Sequence, residues 1–214
     1  MCDREQLRDG IKQLDLSIAD DAVDKLLRYC QELQKWSRNI NLIARDTPAA
    51  EIVEKHFLDS LTLLPLLRRH SGPSASLLDV GSGAGFPGLV LAAALPELSV
   101  TLLEPRQKRA AFLRHVIRTL ALGNVQVRAE RLEPRQALPE QFTFITSRAV
   151  AAPAAFLSLL EQSIDLETLV ILMQAEDDRQ LLTACPDWEI VDSLQLRLPF
   201  SKHPRSLTAV RRQC

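Results

Sequence analysis

The chain has 214 residues, 46% of them hydrophobic and 25% charged, which is enough apolar material for one sizeable core with room for a second small domain. A formal net charge of −1 excludes a polycation, so any nucleic-acid binding must come from basic residues gathered on one face. Cys2, Cys30, Cys185 and Cys214 form no C-x-x-C pair and have no companion histidine at metal spacing, and no run approaches the roughly 18 apolar residues of a membrane span. With no apolar signal core in Met1-Cys2-Asp3-Arg4-Glu5, these features predict a cytoplasmic protein with reduced thiols and no metal. No exposed apolar stripe stands out, which favours a monomer.

Residues 1–72 read as a helical region packed on the core of a domain spanning 73–214. After Ser17, an expected N-cap, Ala22, Val23, Leu26, Leu27, Cys30 and Leu33 recur at helical spacing up to Trp36. A loop follows at Asn39-Ile40-Asn41-Leu42-Ile43-Ala44. Thr47 is then placed to cap a helix with Pro48 in its first turn and Ile52, Val53, Phe57, Leu61 and Leu64 as its buried stripe. Lys55 and Asp59, four apart, suit an exposed ion pair worth roughly a few tenths of a kcal/mol, with His56 partly buried and hydrogen-bonded. His70-Ser71-Gly72-Pro73-Ser74 ends the pattern.

Leu77 to Val80 then reads as a buried strand, and Gly81-Ser82-Gly83-Ala84-Gly85 lets the backbone turn and approach a ligand that a Cβ would push away. Pro87 suits the first position of an apolar helix running to Leu95. Val100 to Leu103 is a second strand. Glu104 at its carboxyl end stands where α/β nucleotide sites place an acid for ribose hydroxyls.

Two cofactor classes share that geometry. Gly83-Ala84-Gly85-Phe86-Pro87-Gly88 matches the dinucleotide pattern G-x-G-x-x-G, but it starts three residues past the strand and contains Pro87, which lacks an amide donor for pyrophosphate. The frame Asp79-x-Gly81-x-Gly83-x-Gly85 starts at the strand end and begins with a carboxylate. A carboxylate repels pyrophosphate and attracts a cation, so this frame suits S-adenosyl-L-methionine, which carries an ammonium and a sulfonium and no phosphate. A dinucleotide, or a structural turn without ligand, stays open on these residues alone.

Further on, a helix from about Gln107 to Leu122 ends at Gly123-Asn124, and Arg106, Lys108, Arg109 and Arg114 crowd its start against the helix dipole. They face Glu104 and Asp79, await an anionic partner, or form a solvated cluster. Val125 to Arg128 is a third strand followed by Ala129-Glu130, and Phe142 to Ile145 a fourth followed by Ser147-Arg148-Ala149. A helix over 152–163, a strand from Thr168 to Met173, and an antiparallel hairpin of Trp188 to Leu198 with Leu207 to Arg211 complete the chain around an exposed basic loop, Lys202-His203-Pro204-Arg205. The alternation predicts an α/β fold, a doubly wound, mostly parallel sheet with ligand chemistry at the strand ends.

Six ordered blocks now stand together: Asn41-Leu42-x-Ala44, Lys55-His56-x-x-Asp59-Ser60-Leu61, Asp79 through Gly88, Lys108-Arg109-x-x-Phe112-Leu113, Arg128-Ala129-Glu130 and Ser147-Arg148-Ala149. From about residue 36 onward the chain resembles the bacterial small-subunit rRNA methyltransferase G family, also called glucose-inhibited division protein B. The resemblance implies a class I, Rossmann-like methyltransferase with a seven-stranded sheet. It implies transfer of a methyl group from S-adenosyl-L-methionine to N7 of guanosine 527 in the 530 loop of 16S rRNA, as naked RNA or in the small ribosomal subunit. By the same resemblance the cofactor contacts Gly81 and Phe86, with Asp79, Ser82, Gly83, Gly85 and Glu104 around them. Ala129 and Glu130 lie beside the adenine and Arg148 near the methionine end, while Asn41, His56 and Asp59 take a role at the guanine pocket. Two positions depart from the family pattern: Glu104 stands where Asp is usual, and Leu172-Met173-Gln174 where Leu-Lys-Gly is common, which removes a cation that could face RNA.

Guanine N7 offers an unprotonated lone pair, so the reaction needs alignment and no general base. Asp59 or Glu130 is a candidate to stabilise charge developing on the guanine, and Arg148 to orient substrate or cofactor. Ser147-Arg148-Ala149 is unlike the Asn-Pro-Pro-Tyr run of amino-group methyltransferases, and the absence of a cysteine after the fourth or fifth strand argues against covalent attack on cytosine. RNA affinity is expected from Lys35, Arg38, Arg45, Lys55, Lys108, Arg109, Lys202, Arg205, Arg211 and Arg212, provided the fold gathers them at the cofactor mouth. The competing readings are a non-catalytic sensor or assembly factor and an NAD-dependent oxidoreductase.

Overall fold

Neighbouring residues of each central strand enter opposite cores. The computed structural model describes residues 2–134, 138, 140–148, 152–175 and 185–213. In it β1 (Ser76–Val80) sends Leu77 to one face and Leu78 to the other, and β2 (Ser99–Leu103) divides Leu102 from Leu103 in the same way. A strand alternates its side chains, so apolar runs of this kind are stable only with both faces covered. With β3 (Val125–Arg128), β4 (Phe144–Ser147), β5 (Leu169–Gln174), β6 (Trp188–Arg197) and β7 (Pro204–Arg212) they form a seven-stranded sheet in the order β3-β2-β1-β4-β5-β7-β6. The first five strands are parallel, and β7 runs antiparallel between β5 and β6. The expected Rossmann-like architecture and the terminal hairpin are therefore present.

One core joins the sheet to α1 (Arg4–Gln13), α2 (Asp20–Ser37), α3 (Ala49–Ile52), a π-helical turn at Val53–Leu58, α4 (Asp59–Leu61), α5 (Leu64–His70), α6 (Gly88–Ala94) and α7 (Gln107–Leu120). Across the sheet, Phe156, Leu157 and Leu160 of α8 (Pro153–Leu160) pack on Leu78, Ile145 and Val170. The N-terminal helices share their core with α6 and α7 and form no separate one.

Several local expectations are corrected. Ser17 caps nothing: α2 begins at Asp20 without a side-chain cap, its first turn carrying Asp20 and Asp21, which favour the helix dipole directly. Thr47 turns back to donate to the Ala44 carbonyl, leaving Pro48 as the residue before α3. Ala121 rather than Gly123 takes the left-handed position that closes α7, at φ 51°. Asn124 has a different task, donating from Nδ2 to the Ala92 and Leu98 carbonyls to tie the approach to β3 onto the end of α6. Cys2 and Cys30 are joined as a disulfide, against the expectation of reduced thiols. Their spacing of 28 residues concealed a pairing that the packing of α1 on α2 brings about.

Candidate functional site

Because β1 to β4 are parallel, their carboxyl ends meet on one edge of the sheet, and a cleft of about 1080 Å³ opens there. Its floor is the loop from Gly81 to Phe86. Glu104 and Glu130 follow β2 and β3 on one side, and Arg148 follows β4 on the other. The wall comes from the N-terminal region, with Leu42, Thr47 and His56 among its residues.

The glycines divide into two groups. Gly81 and Gly83, at φ 72° and 59°, line the cleft with bare backbone. Gly85 and Gly88 lie beneath it. A Cβ on Gly85 would meet Leu89 and the Tyr29 hydroxyl at 2.5 and 2.6 Å, and one on Gly88 would meet Leu102 and Asp79 at 2.4 and 2.7 Å. Two of the three glycines in the dinucleotide frame thus serve packing rather than a ligand.

Asp79 is fully buried below this loop and does not line the cleft. Its Oδ2 accepts the Gly88 amide at 3.0 Å, while Oδ1 is buried without a partner, and burial pushes its pKa up to about 6. The expectation that this carboxylate faces a cationic ligand is corrected. Its side chain points to the α6 side of β1, where it fixes the loop from below. Ser82 is likewise buried and donates to the Asp79 carbonyl at 2.9 Å.

Glu104 reaches across the edge. Its Oε2 accepts the Gly83 amide at 2.9 Å and its Oε1 the Arg106 amide at 2.8 Å, so one carboxylate orients the glycine loop and the entrance to α7 while bordering the cleft. The added methylene relative to Asp gives it that span. Glu130 lines the same side, and Ala129 just before it is half-buried and outside the lining. The basic start of α7 is partly explained: Arg109 borders the cleft and donates to the Asn41 carbonyl at 3.1 Å, fixing the loop that carries Asn41. Among the described residues, the Asn41 side chain is exposed and does not line the cleft.

Phe86 is the hub of the opposite side. Its ring stacks on Tyr29 at 5.4 Å and on His56 at 5.0 Å, meets Phe57 edge-on at 5.3 Å, and has the Arg148 guanidinium 4.9 Å from its centroid. Tyr29 donates to the Ala84 carbonyl, and burial holds its hydroxyl well above the usual pKa, so it stays protonated. His56 and Arg148 both line the cleft, and Arg148 donates from Nη2 to His56 Nδ1 at 3.0 Å. Burial, with the positive charges of Arg148 and Lys55, lowers the His56 pKa to about 4.

Asp59 is withdrawn from the cleft. It is buried, receives Arg205 Nε at 2.6 Å and lies 3.7 Å from Arg148 Nη1. Burial nonetheless outweighs these cations and leaves its pKa raised. The expected Lys55–Asp59 pair is absent: Lys55 is exposed and pairs one turn back with Glu51, while Asp59, just past the π-helical turn at Val53–Leu58, is buried against Arg205. Arg205 is accordingly a half-buried partner of Asp59 rather than a free RNA contact, and Lys202 is turned toward Gln13 and the Pro199 carbonyl. Lys108 is exposed on α7. Ala149, the last residue of the fourth-strand block, lies outside the described residues.

Two contributors escaped the sequence reading. Tyr29, the chain's single tyrosine, stood inside an apolar stripe where its hydroxyl demanded a partner. Glu54 is buried, and its Oε1 accepts the Phe200 and Ser201 amides at 2.7 and 2.8 Å, pinning the β6–β7 turn to the π-helix. An acid flanked by Val53 and Phe57 was the available signal.

Among solved structures the chain is similar to a mutant of MtNAS in complex with S-adenosylmethionine, at 17% identity and a TM-score of 0.60 over 90% of this chain and 75% of that one. It is also similar to a ribosomal protein L11 methylase from Lactobacillus delbrueckii subsp. bulgaricus, at 15% identity and 0.55 over 75% and 79%. These likenesses show the fold. Sequence relatives are nearer: ribosomal RNA small subunit methyltransferase G of Desulfotalea psychrophila is 40% identical over 96% of this chain and 97% of its own, and that of Nitrosospira multiformis 39% over 97% and 96%. The family model for rRNA small subunit methyltransferase G matches residues 22–208, and the chain belongs to that family, GidB.

Proposed function

We propose that this protein transfers a methyl group from S-adenosyl-L-methionine to N7 of a guanine in 16S rRNA, the target implied by the family being guanosine 527. The observation that carries the reading is the cleft itself, with bare backbone at Gly81 and Gly83 between the acids Glu104 and Glu130 on one side and the neutral His56 with Arg148 on the other. A cavity of about 1080 Å³ lies at the upper end of what a drug-sized ligand occupies, leaving room for a nucleoside cofactor beside a base. Glu130 would border the adenine, Glu104 the ribose, and the Gly81–Gly83 backbone the amino-acid portion. The bound cofactor supplies an electrophilic sulfonium methyl group.

The chain's own work is alignment and exclusion of water. Gly83 is held by Glu104, and the Phe86 hub fixes His56 and Arg148 at the end of β4, where the base would enter. Guanine N7 carries its own lone pair, so the reaction as proposed needs no general base. Met173 and Gln174, opposite Leu207 and Ser206 of β7, lie at the same edge of the sheet without adding a cation. The test is transfer of labelled methyl groups to undermethylated small subunits and to naked 16S rRNA, followed by mapping of the modified nucleotide. Label at a guanine N7 supports the proposal. Tight cofactor binding with no label in either substrate overturns it in favour of a sensor.

A further inference from the structure

His56 offers the cleft one fixed hydrogen-bond donor. A guanidinium has only donors, so the Arg148 contact at 3.0 Å requires a lone pair on His56 Nδ1, and the proton of the neutral ring then sits on Nε2. Of the two ring orientations that share the plane stacked on Phe86 at 20°, only this one keeps the bond from Arg148. Among the described residues none accepts from Nε2, and the ring borders the cleft. It stands beside Arg148 at the end of β4, across the glycine loop from Glu104 and Glu130.

We propose that His56 is a specificity-determining residue whose Nε2–H donates to O6 of the target guanine, selecting guanine while leaving N7 free. This rests on the methyl-transfer reading above. Guanine presents O6 as an acceptor beside N7, whereas adenine presents an amino donor there, so a fixed donor pairs with the first and opposes the second. Burial of an unpaired donor penalises the wrong base more than the correct pair rewards the right one.

The experiment compares small subunits carrying guanine or 2-aminopurine at the target nucleotide, the latter keeping N7 and lacking O6. His56→Phe retains a ring on Phe86 and removes the Nε2 donor together with the Nδ1 acceptor of Arg148, so the two substrates are compared within one variant. It is expected to lower the ratio of kcat/KM on guanine to that on 2-aminopurine roughly 10- to 100-fold, while calorimetric binding of S-adenosylhomocysteine is retained. His56→Gln, which restores an N–H, is expected to recover part of the guanine rate. Equal losses on both substrates, with an active parent, would overturn the donor role alone. A parent that binds cofactor and methylates neither substrate would overturn the methyl-transfer reading and this inference with it.

Discussion

Arg205, at the start of β7, donates from Nε to Oδ1 of Asp59 at 2.6 Å, joining side chains 146 positions apart. The same carboxylate lies 3.7 Å from Arg148, so a single buried acid links the terminal hairpin to the arginine of the cleft. The Asp59 side chain is only 7% exposed, and removing Arg205 leaves its buried Oδ1 without a donor and Arg148, at 3.7 Å, as its remaining cation. Arg205→Met is expected to lower the free energy of unfolding by roughly 3 kcal/mol, read from urea denaturation. An Arg205→Met protein as stable as the parent would sink this account.

Glu104 supports a prediction about cofactor affinity. Glu104→Gln has one carbonyl oxygen for the two amides of Gly83 and Arg106, so one amide loses its acceptor. The cost is about 1–2 kcal/mol, which corresponds to roughly 10-fold weaker binding of S-adenosylhomocysteine by calorimetry. Glu104→Asp is expected to weaken binding as well, because the shorter side chain cannot span both amides. Unchanged affinity in both variants would show that the loop holds its shape without this carboxylate.

The strands were legible because each is a short apolar run ended by turn residues, and α6, α7 and α8 are the crossover helices that follow β1, β2 and β4. The glycine loop and Glu104 were legible for the same reason, since they stand at strand ends. What periodicity could not show is the π-helical turn at Val53–Leu58, nor that Asp59 just beyond it is buried against Arg205 while Lys55 stays exposed beside Glu51. Spacing rules assume α geometry, and an added residue per turn defeats them. Asp79 stands out in sequence as an acid in a buried strand, but its position at the strand end does not give its role: the alternation of β1 turns it to the face toward α6, which lies under the loop.

Asp79 also carries a pH prediction. Its folded pKa of about 6 lies above the usual 3.8 of an aspartate, because burial disfavours the ionised form. A group with a raised folded pKa stabilises the fold fully below its unfolded pKa, and that contribution is lost as pH rises toward 6. Asp79→Asn keeps an acceptor for Gly88 and cannot ionise. The difference in thermal stability between variant and parent is therefore expected to shift in favour of the variant from pH 4 to pH 6 and to level off above it. A difference that stays flat across that interval would mean that the carboxyl ionises freely in the fold.

The sheet register sorts the basic residues that were candidates for RNA. Arg212 pairs with Trp188 and donates to the Glu161 carbonyl at 2.6 Å, and Val210, two residues before it, stands opposite Val170 near the start of β5, so both lie toward the edge away from the cleft. Lys108 is exposed on the first turn of α7, between Arg106 and Arg109 on the cleft edge. Lys108→Ala is expected to weaken RNA binding and to reduce the slope of log affinity against log salt by about 0.7–0.9, with cofactor affinity unaltered. Arg212→Ala is expected to leave RNA affinity and its salt slope unchanged, because a phosphate at the cleft mouth lies beyond its reach. Equal salt slopes for the parent and Lys108→Ala would remove α7 from the RNA-binding surface, and a loss in Arg212→Ala would move that surface to the opposite edge of the sheet.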